Sequence, residues 1–493
     1  MKNSHYLPFL LALAFWAQQA APQDTLHTEW AITATSPVAN GNADAWAIGT
    51  DPTGNIFWGV NLDMPGLFIL MDATLWKLDA DANIIWQTTA ATGPFAQQSY
   101  NLKVMDSLVF AAGRTCRGLA LDSCDVLLFT VDAATGTTDW AFEWDGGFGY
   151  EETDGIALQS GSIIISGWSD GDGTEVDGLL MKLNATGDVL WQTTFGSGTA
   201  RDDHFDGHAV VDDSMIYVCG LWDGSPLVGW DGRALLAKFN KTDGTFVDSV
   251  LFGRQDTWLN AENALGMTTD GTFLYVTGYT TPAPNDWDIF VAKYDKDLHQ
   301  LWHTSWGGPM IESARAITVA PDGAIYIGGN TNSFGNGNVD IALLKLAPDG
   351  ALQWYKTWGE GGDDQTLDIH LRQNALYLTG KTNSSHPSGK WEAVLLKVAV
   401  DSVNATGDIP AALSRVKVQP NPARNQARLT FVNVSHIPHT LLLFDAFGRE
   451  VETVKEIVNS EVTVQKGSKH AGVYFFQLRN RKKIVATGKV VFE

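Results

Sequence analysis

A glycine closes the same kind of apolar run seven times along this chain, at Gly59, Gly113, Gly167, Gly220, Gly278, Gly329 and Gly380, at intervals of 51–58 residues. The unit is clearest from Ser313 to Gly359. Four runs, AITVA, AIYIGG, DIALLKL and ALQWYKTW, are separated by Pro321-Asp322-Gly323, a Gly/Asn/Ser loop and Pro348-Asp349-Gly350. Short runs rich in Ile, Tyr and Trp between Asp-Gly turns read as antiparallel strands. AIYIGG and DIALLKL are nearly continuous in apolar character, which predicts small sheets buried on both faces where like sheets stack.

Four strands repeated every ~50 residues point to a β-propeller. Third strands keep step as WKLD, FTVD, MKLN, AKFN, AKYD, LKLA and LKVA, and fourth strands carry Trp86, Trp140, Trp191, Trp302 and Trp354. The fourth unit has FVDSVLFG in place of a Trp-bearing strand. The seventh stops after VLLKVAV, while an orphan run, HTEWAITA with Trp30, precedes the first unit. The expected fold is therefore all-β: a seven-bladed β-propeller over residues 24–400, closed by its N-terminal strand, which removes the free edges of an open array. Over Thr28 to Val400 the units resemble the Trp/Gly-rich propeller repeats of secreted bacterial proteins. That resemblance implies a fold and almost nothing about activity, because propellers host unrelated functions.

Charge divides the chain. Residues 413–493 carry 13 Lys/Arg against 6 Asp/Glu, a net +7, within a total of −23 that leaves the remainder at −30. Such asymmetry marks two modules, and the acidic majority disfavours a nucleic-acid partner. Residues 1–21, MKNSHYLPFLLALAFWAQQAA, combine Lys2, an apolar run and small residues, the pattern of a signal peptide. No later stretch reaches the ~20 apolar residues of a membrane-spanning helix. Export favours disulfides. Cys116 and Cys124 lie eight apart and are candidates for a local bridge, although spacing alone does not fix the geometry. Cys219, in MIYVCG, reads as a small core residue.

Residues 401–412 read as a linker, and 413–493 as strands with Asn-Pro, Phe-Gly and Ala-Gly breaks, suited to a small β-sandwich. Pro420-Asn421-Pro422-Ala423, Asp445 with Gly448-Arg449, Gly472-Val473-Tyr474 and Gly488-Lys489-Val490 together resemble the type A C-terminal sorting domain of the type IX secretion system of Bacteroidetes. The resemblance implies export by that machinery, removal of the domain by a sortase-like peptidase, and a mature protein that is secreted or held at the cell surface.

Loops joining second to third strands, and fourth strands to the next unit, share one propeller face. There they carry Trp168, Trp222, Trp230, Trp258, Trp287 and Trp391 among carboxylates. Aromatic faces stack on sugars and carboxylates take hydroxyls, so a glycan or protein ligand is the expected partner. The alternative for each Trp is packing against neighbouring loops. Asp154 and Asp206 occupy equivalent positions in first strands and are expected near the central channel. There they would either line water or serve acid/base chemistry in an extracellular lyase or hydrolase. Asp170, Asp172 and Asp177 alternate like the start of a calcium loop but lack its distal Glu. Asp72, Asp125, Asp288 and Asp340 recur where Asp177 stands, which favours a structural role. No other cofactor is expected. The turns at Asp132–Gly136 and Asn184–Gly187 resemble the tryptophan-docking motif of quinoprotein propellers, whose adjacent cysteine pair is absent. His204 and His208 would not share the helical face a zinc pair needs.

Overall fold

In the computed structural model, the apolar runs become central strands of small antiparallel sheets. The structure describes residues 26–400 except 27, 40, 65–69, 91–95, 118–122, 148, 160, 171–175, 199–201, 225–231, 253–261, 284–285 and 385–388, and residues 417–493 except 432–437, 445–448, 468 and 481–482. The signal-peptide and linker segments lie outside the described residues. Contacts separate two compact units, residues 1–400 and 401–493.

The larger unit contains seven sheets among its described residues, each ordered from an inner to an outer strand. The first runs Ala43–Thr50, Ile56–Met64, Leu70–Leu78 and Ile84–Thr89. Ile56–Val60 are all buried, because a sheet sandwiched between two others has no solvent face. Fourth strands alternate between exposed and half-buried residues, as outer edges should. The fourth sheet departs from the pattern, with its inner strand broken into Asp202–His204 and Val210–Val211.

The last sheet combines strands distant in sequence: Trp30–Ala34 pairs antiparallel with Glu392–Ala399, followed by Ala375–Thr382 and Asp364–Arg372. Trp30 faces Lys397. Trp86 faces Lys77, Trp191 faces Lys182, Trp302 faces Lys293 and Trp354 faces Lys345 in the same register. The pairing thus places Trp30 where other sheets place their fourth-strand Trp. The last sheet also packs on the first. Trp58, fully buried, donates its indole N–H to Thr379 Oγ1 (2.6 Å), and Arg372 reaches the Pro52 carbonyl (2.7 Å). Ile48, Trp58, Tyr377 and Leu395 share one apolar cluster, and burying such side chains contributes roughly 1.5–3 kcal/mol each.

The smaller unit is a β-sandwich of Lys417–Gln419, Gln426–Thr430 and Glu461–Gln465 in one sheet, and Glu450–Ile457, His439–Phe444, Gly472–Asn480 and Lys483–Phe492 in the other. Leu429, Leu441, Leu443, Val464, Phe476 and Val490 fill its core. Among the described residues all regular elements are strands, and no helix is long and apolar enough to cross a membrane.

Candidate functional site

The register glycines explain how the site is built. A side chain at Gly113, Gly167, Gly220, Gly278 or Gly380 would collide with the carbonyl of Gln98, Glu152, His204, Asn263 or Gln365 on the adjacent inner strand. That close approach accompanies a β-bulge two residues later in most sheets. Register shifts bracket Trp46, Tyr100, Asp154, Leu265, Arg315 and Leu367. In the fourth sheet Asp206 occupies the break between the two inner-strand pieces. Bulges re-aim a side chain, and side chains from several sheets meet here: Arg315 lies over the Trp46 ring (5.5 Å), and Trp46 meets Tyr100 edge-on (5.1 Å).

Around this collar the starts of the inner strands supply a polar cluster. The Arg114 guanidinium pairs with Glu152 Oε2 (2.5 Å), donates to Gln98 Oε1 (Nε, 2.9 Å), and lies over the rings of Tyr100 (5.4 Å) and Tyr150 (5.1 Å). Tyr150 stacks on Trp168 (5.0 Å, 3°), which stacks on His204 (5.1 Å, 14°). His204 Nδ1 is 3.5 Å from Asp206 Oδ1, and Asn263 donates to Asp206 Oδ2 (2.7 Å). Asn61 donates to Asp44 Oδ1 (2.9 Å).

These contacts drive the carboxyls apart in acidity. Burial pushes Asp154 well above the usual carboxylate range, with the charges of Glu152 and Asp206 adding to it. Burial also raises Glu152 against the pull of Arg114, and raises Asp44. At Asp206 burial works in the same direction. There the hydrogen bond and charge of His204, helped by Arg315 and Asn263, outweigh it and hold the carboxyl below its ordinary range. Burial works to lower His204, but Asp206 raises it on balance. One carboxyl that holds its proton more tightly than usual thus stands in the same cluster as one that holds it less tightly.

Trp168, Trp222, Trp287 and Trp391 are all half-buried, because each ring has a partner. Trp222 meets Phe195 (5.1 Å), Trp287 stacks on Tyr279 (4.4 Å), and Lys381 lies over Trp391 (4.6 Å). Trp230, Trp258 and Asp172 lie outside the described residues. Asp170 Oδ1 accepts the Tyr150 N–H (2.5 Å), and Asp177 begins the strand Asp177–Asn184. Among the described residues one trio of carboxylates, Asp125, Asp145 and Glu151, stands close enough to share a metal ion. Arg117 already reaches Asp125 (2.7 Å) and Asp145 (3.7 Å) there. Cys116 and Cys124 face each other across adjacent strands and are joined by a disulfide, and Cys219 is buried.

In the sandwich, Asn421 ties its loop to the last strand, donating to the Lys489 carbonyl (3.2 Å) and accepting from Val491 N–H (2.8 Å). The loop holds cis peptides before Pro420 and Pro422. Tyr474 Oη donates to the His470 carbonyl (3.0 Å). Gly472 opens its strand, with no atom near its missing side chain, and Gly488 pairs with Phe476. Asp445 and Gly448 lie outside the described residues.

Sequence reading selected Asp154 and Asp206 but passed over Trp46, Tyr100, Arg114, Glu152 and Arg315, and weighed His204 only as a metal ligand. The signal was present. A glycine within a strand marks close backbone approach or a bulge opposite it, so the residues beside the register glycines and beside the residues they face were the ones to inspect.

Residues 417–493 match the family described as a secretion system C-terminal sorting domain, and residues 320–352 match one described as a domain of unknown function (DUF5122) beta-propeller. Regulatory protein FlaEY of Caulobacter vibrioides is 25% identical over 277 residues, 46% of this chain and 28% of that protein. The chain therefore spans less than a third of that relative's length. Two solved structures that the chain is similar to are the β-propeller domain of the Trilobed protease from Pyrococcus furiosus and the α-L-arabinofuranosidase Arb93A from Fusarium graminearum. The first has 9% identity and a TM-score of 0.41, covering 75% of this chain and 99% of that one. The second has 9% identity and a TM-score of 0.44, covering 77% and 99%.

Sheets and family matches together define an all-β protein made of β-propeller repeats joined to a C-terminal sorting unit. That unit is the sorting domain of the type IX secretion system, and the protein is secreted or displayed at the cell surface.

Proposed function

We propose that residues 24–400 form a seven-bladed propeller closed by the strand Trp30–Ala34. We propose further that the sorting domain, residues 413–493, is removed by a sortase-like peptidase during export, and that the loop-bearing mouth of the central channel binds a glycan. The observation that carries the ligand reading is the Tyr150–Trp168–His204 stack beside the Arg114–Glu152 pair. The rings cover one another's faces, so a sugar would meet their edges, next to the fixed charged donors and acceptors that suit its hydroxyls. A protein ligand on the same face is the other occupant this chemistry accepts.

The divergent carboxyls favour a second reading, an extracellular lyase or hydrolase with Asp154 as proton donor and Asp206 as base. We assign no resident cofactor, and calcium at Asp170, Asp172 and Asp177 belongs to the proposal only as a loop-ordering ion.

One experiment separates these readings. The purified protein is screened on a glycan array in calcium and in chelator, with reducing-sugar release followed on each glycan retained. The expected result is retention that falls about tenfold or more in Trp168→Ala, a loss of roughly 1.4 kcal/mol, without sugar release. Release abolished by Asp206→Asn moves the assignment to the enzyme. Retention of no glycan, or retention indifferent to Trp168→Ala, overturns the binding reading. Dependence on calcium decides the ion.

A further inference from the structure

At the opposite ends of the inner strands, past the bulges, lies a cavity of about 450 Å³ walled by residues from all seven sheets. Its size is within the roughly 300–1,000 Å³ of small-molecule sites. Ile, Val, Leu, Met and Ala make up most of the lining residues, but polar atoms supply the larger share of the exposed wall, and four side chains are ionisable: Lys103, His208, Asp368 and His370.

We propose that this cavity is a second site, separate from the mouth, which binds a compact anion through Lys103 with help from the imidazoles of His208 and His370. The shared chemistry is one carboxylate or phosphate on a body no larger than a monosaccharide.

Three observations lead there. First, the Lys103 ammonium makes no hydrogen bond, and no ion pair within 4.0 Å, with any described residue. Lys103 is half-buried, and a cation that no described residue has claimed can pair with an incoming anion. Second, the carboxylate that shares the cavity is already engaged: Asp368 accepts the N–H groups of Ile48 (3.1 Å) and Ile369 (2.7 Å). It offers Lys103 charge at a distance without capping it. Third, both imidazoles are held neutral. Burial is the largest cause at each, with the Lys103 charge adding to it, and it lowers His208 to about 3 and His370 to about 4. A neutral imidazole keeps one N–H to donate. His370 Nε2 lies 2.9 Å from Thr50 Oγ1, leaving its other nitrogen, and His208 makes no hydrogen bond with a described residue. An anion would complete all three groups at once with charge-assisted hydrogen bonds.

The test is titration calorimetry on the full chain in chloride-free buffer, using D-glucuronate, inorganic phosphate and D-glucose as probes. One or both anions should bind about tenfold or more tightly than glucose, a difference of roughly 1.4 kcal/mol, and Lys103→Met should remove the preference. Which anion wins identifies the carboxylate or the phosphate source. Long-range ¹H–¹⁵N spectra of the unmutated protein give a readout that does not depend on the variant folding. The ring signals of His208 and His370 should move on adding the preferred anion and stay still with glucose. No heat with either anion up to about 10 mM, a limit that already corresponds to under roughly 3 kcal/mol of binding, overturns the proposal. So do still histidine signals or an unchanged preference in Lys103→Met.

Discussion

Glu151 shows how a single side chain can hold a pH dependence. It is 1% exposed at the start of its inner strand, and burial, then the charges of Asp170, Asp125 and Asp145, raise its carboxyl to about 7. A carboxyl raised on folding contributes stability that is complete below its ordinary range and is lost as pH climbs through the folded value. Glu151→Gln should therefore change little at pH 5 and stabilise the protein at pH 8, with a gap between the two of roughly 2 kcal/mol. Urea denaturation at the two pH values measures it, and equal effects at both would refute the assignment. Little of this was legible beforehand. Glu151 and Asp170 were visible as acids in turn-rich stretches, but which acids would be crowded together depends on strands packing side by side. Asp154 and Asp206 were found because their equivalence follows from the repeat, whereas Arg114 and Arg315 sit in otherwise ordinary strand text.

At the scale of elements, fourth-strand Trp residues lean on turns of the following sheet. Trp86 covers Gly136, Trp140 covers Gly187, Trp191 covers Gly244 and Trp302 covers Gly350. The docking turns foreseen at Asp132–Gly136 and Asn184–Gly187 are two of these. Gly244 has φ of 73° and a Cβ there would press on the Trp191 ring, while Gly161 has φ of 77° with nothing near it. Gly161→Ala should cost about 1 kcal/mol for the left-handed backbone alone. Gly244→Ala should cost roughly 1–3 kcal/mol more as the ring is displaced, readable as the difference between two thermal melts. Equal costs would mean the Trp is not docked. The Trp-less fourth unit is also instructive. Asp248 occupies the Trp register opposite Lys238, whose ammonium reaches the Lys296 carbonyl in a turn of the following sheet (2.9 Å). The unit reads as degenerate because its fourth strand lacks the marker Trp, yet it folds as a sheet like the others.

For the molecule as a whole, the repeat made the number and content of the sheets legible, because each is written within ~50 contiguous residues. The cavity and the mouth were not, since each gathers residues from sheets scattered along the chain. The pairing of Trp30–Ala34 with Glu392–Ala399 bridges both cases. Deleting residues 28–35 would bare the edge of Glu392–Ala399, unpairing Ile32 from Leu395 and Thr33 from Val394. The expected outcome is a Tm lowered by about 10 °C or more, at roughly 2–4 °C per kcal/mol for a unit this large, with concentration-dependent aggregation through the bared edge. A melt that matches the intact protein at all concentrations would show the strand to be dispensable.

That latch also bears on how such a protein can be exported. A sheet drawing on sequence from both sides of the repeat array cannot be finished while the polypeptide is still emerging, so the early sheets must wait, edges bare, for a partner that arrives after all the others. The joining of the two ends then comes late, and until it forms the edge of Glu392–Ala399 stays bare.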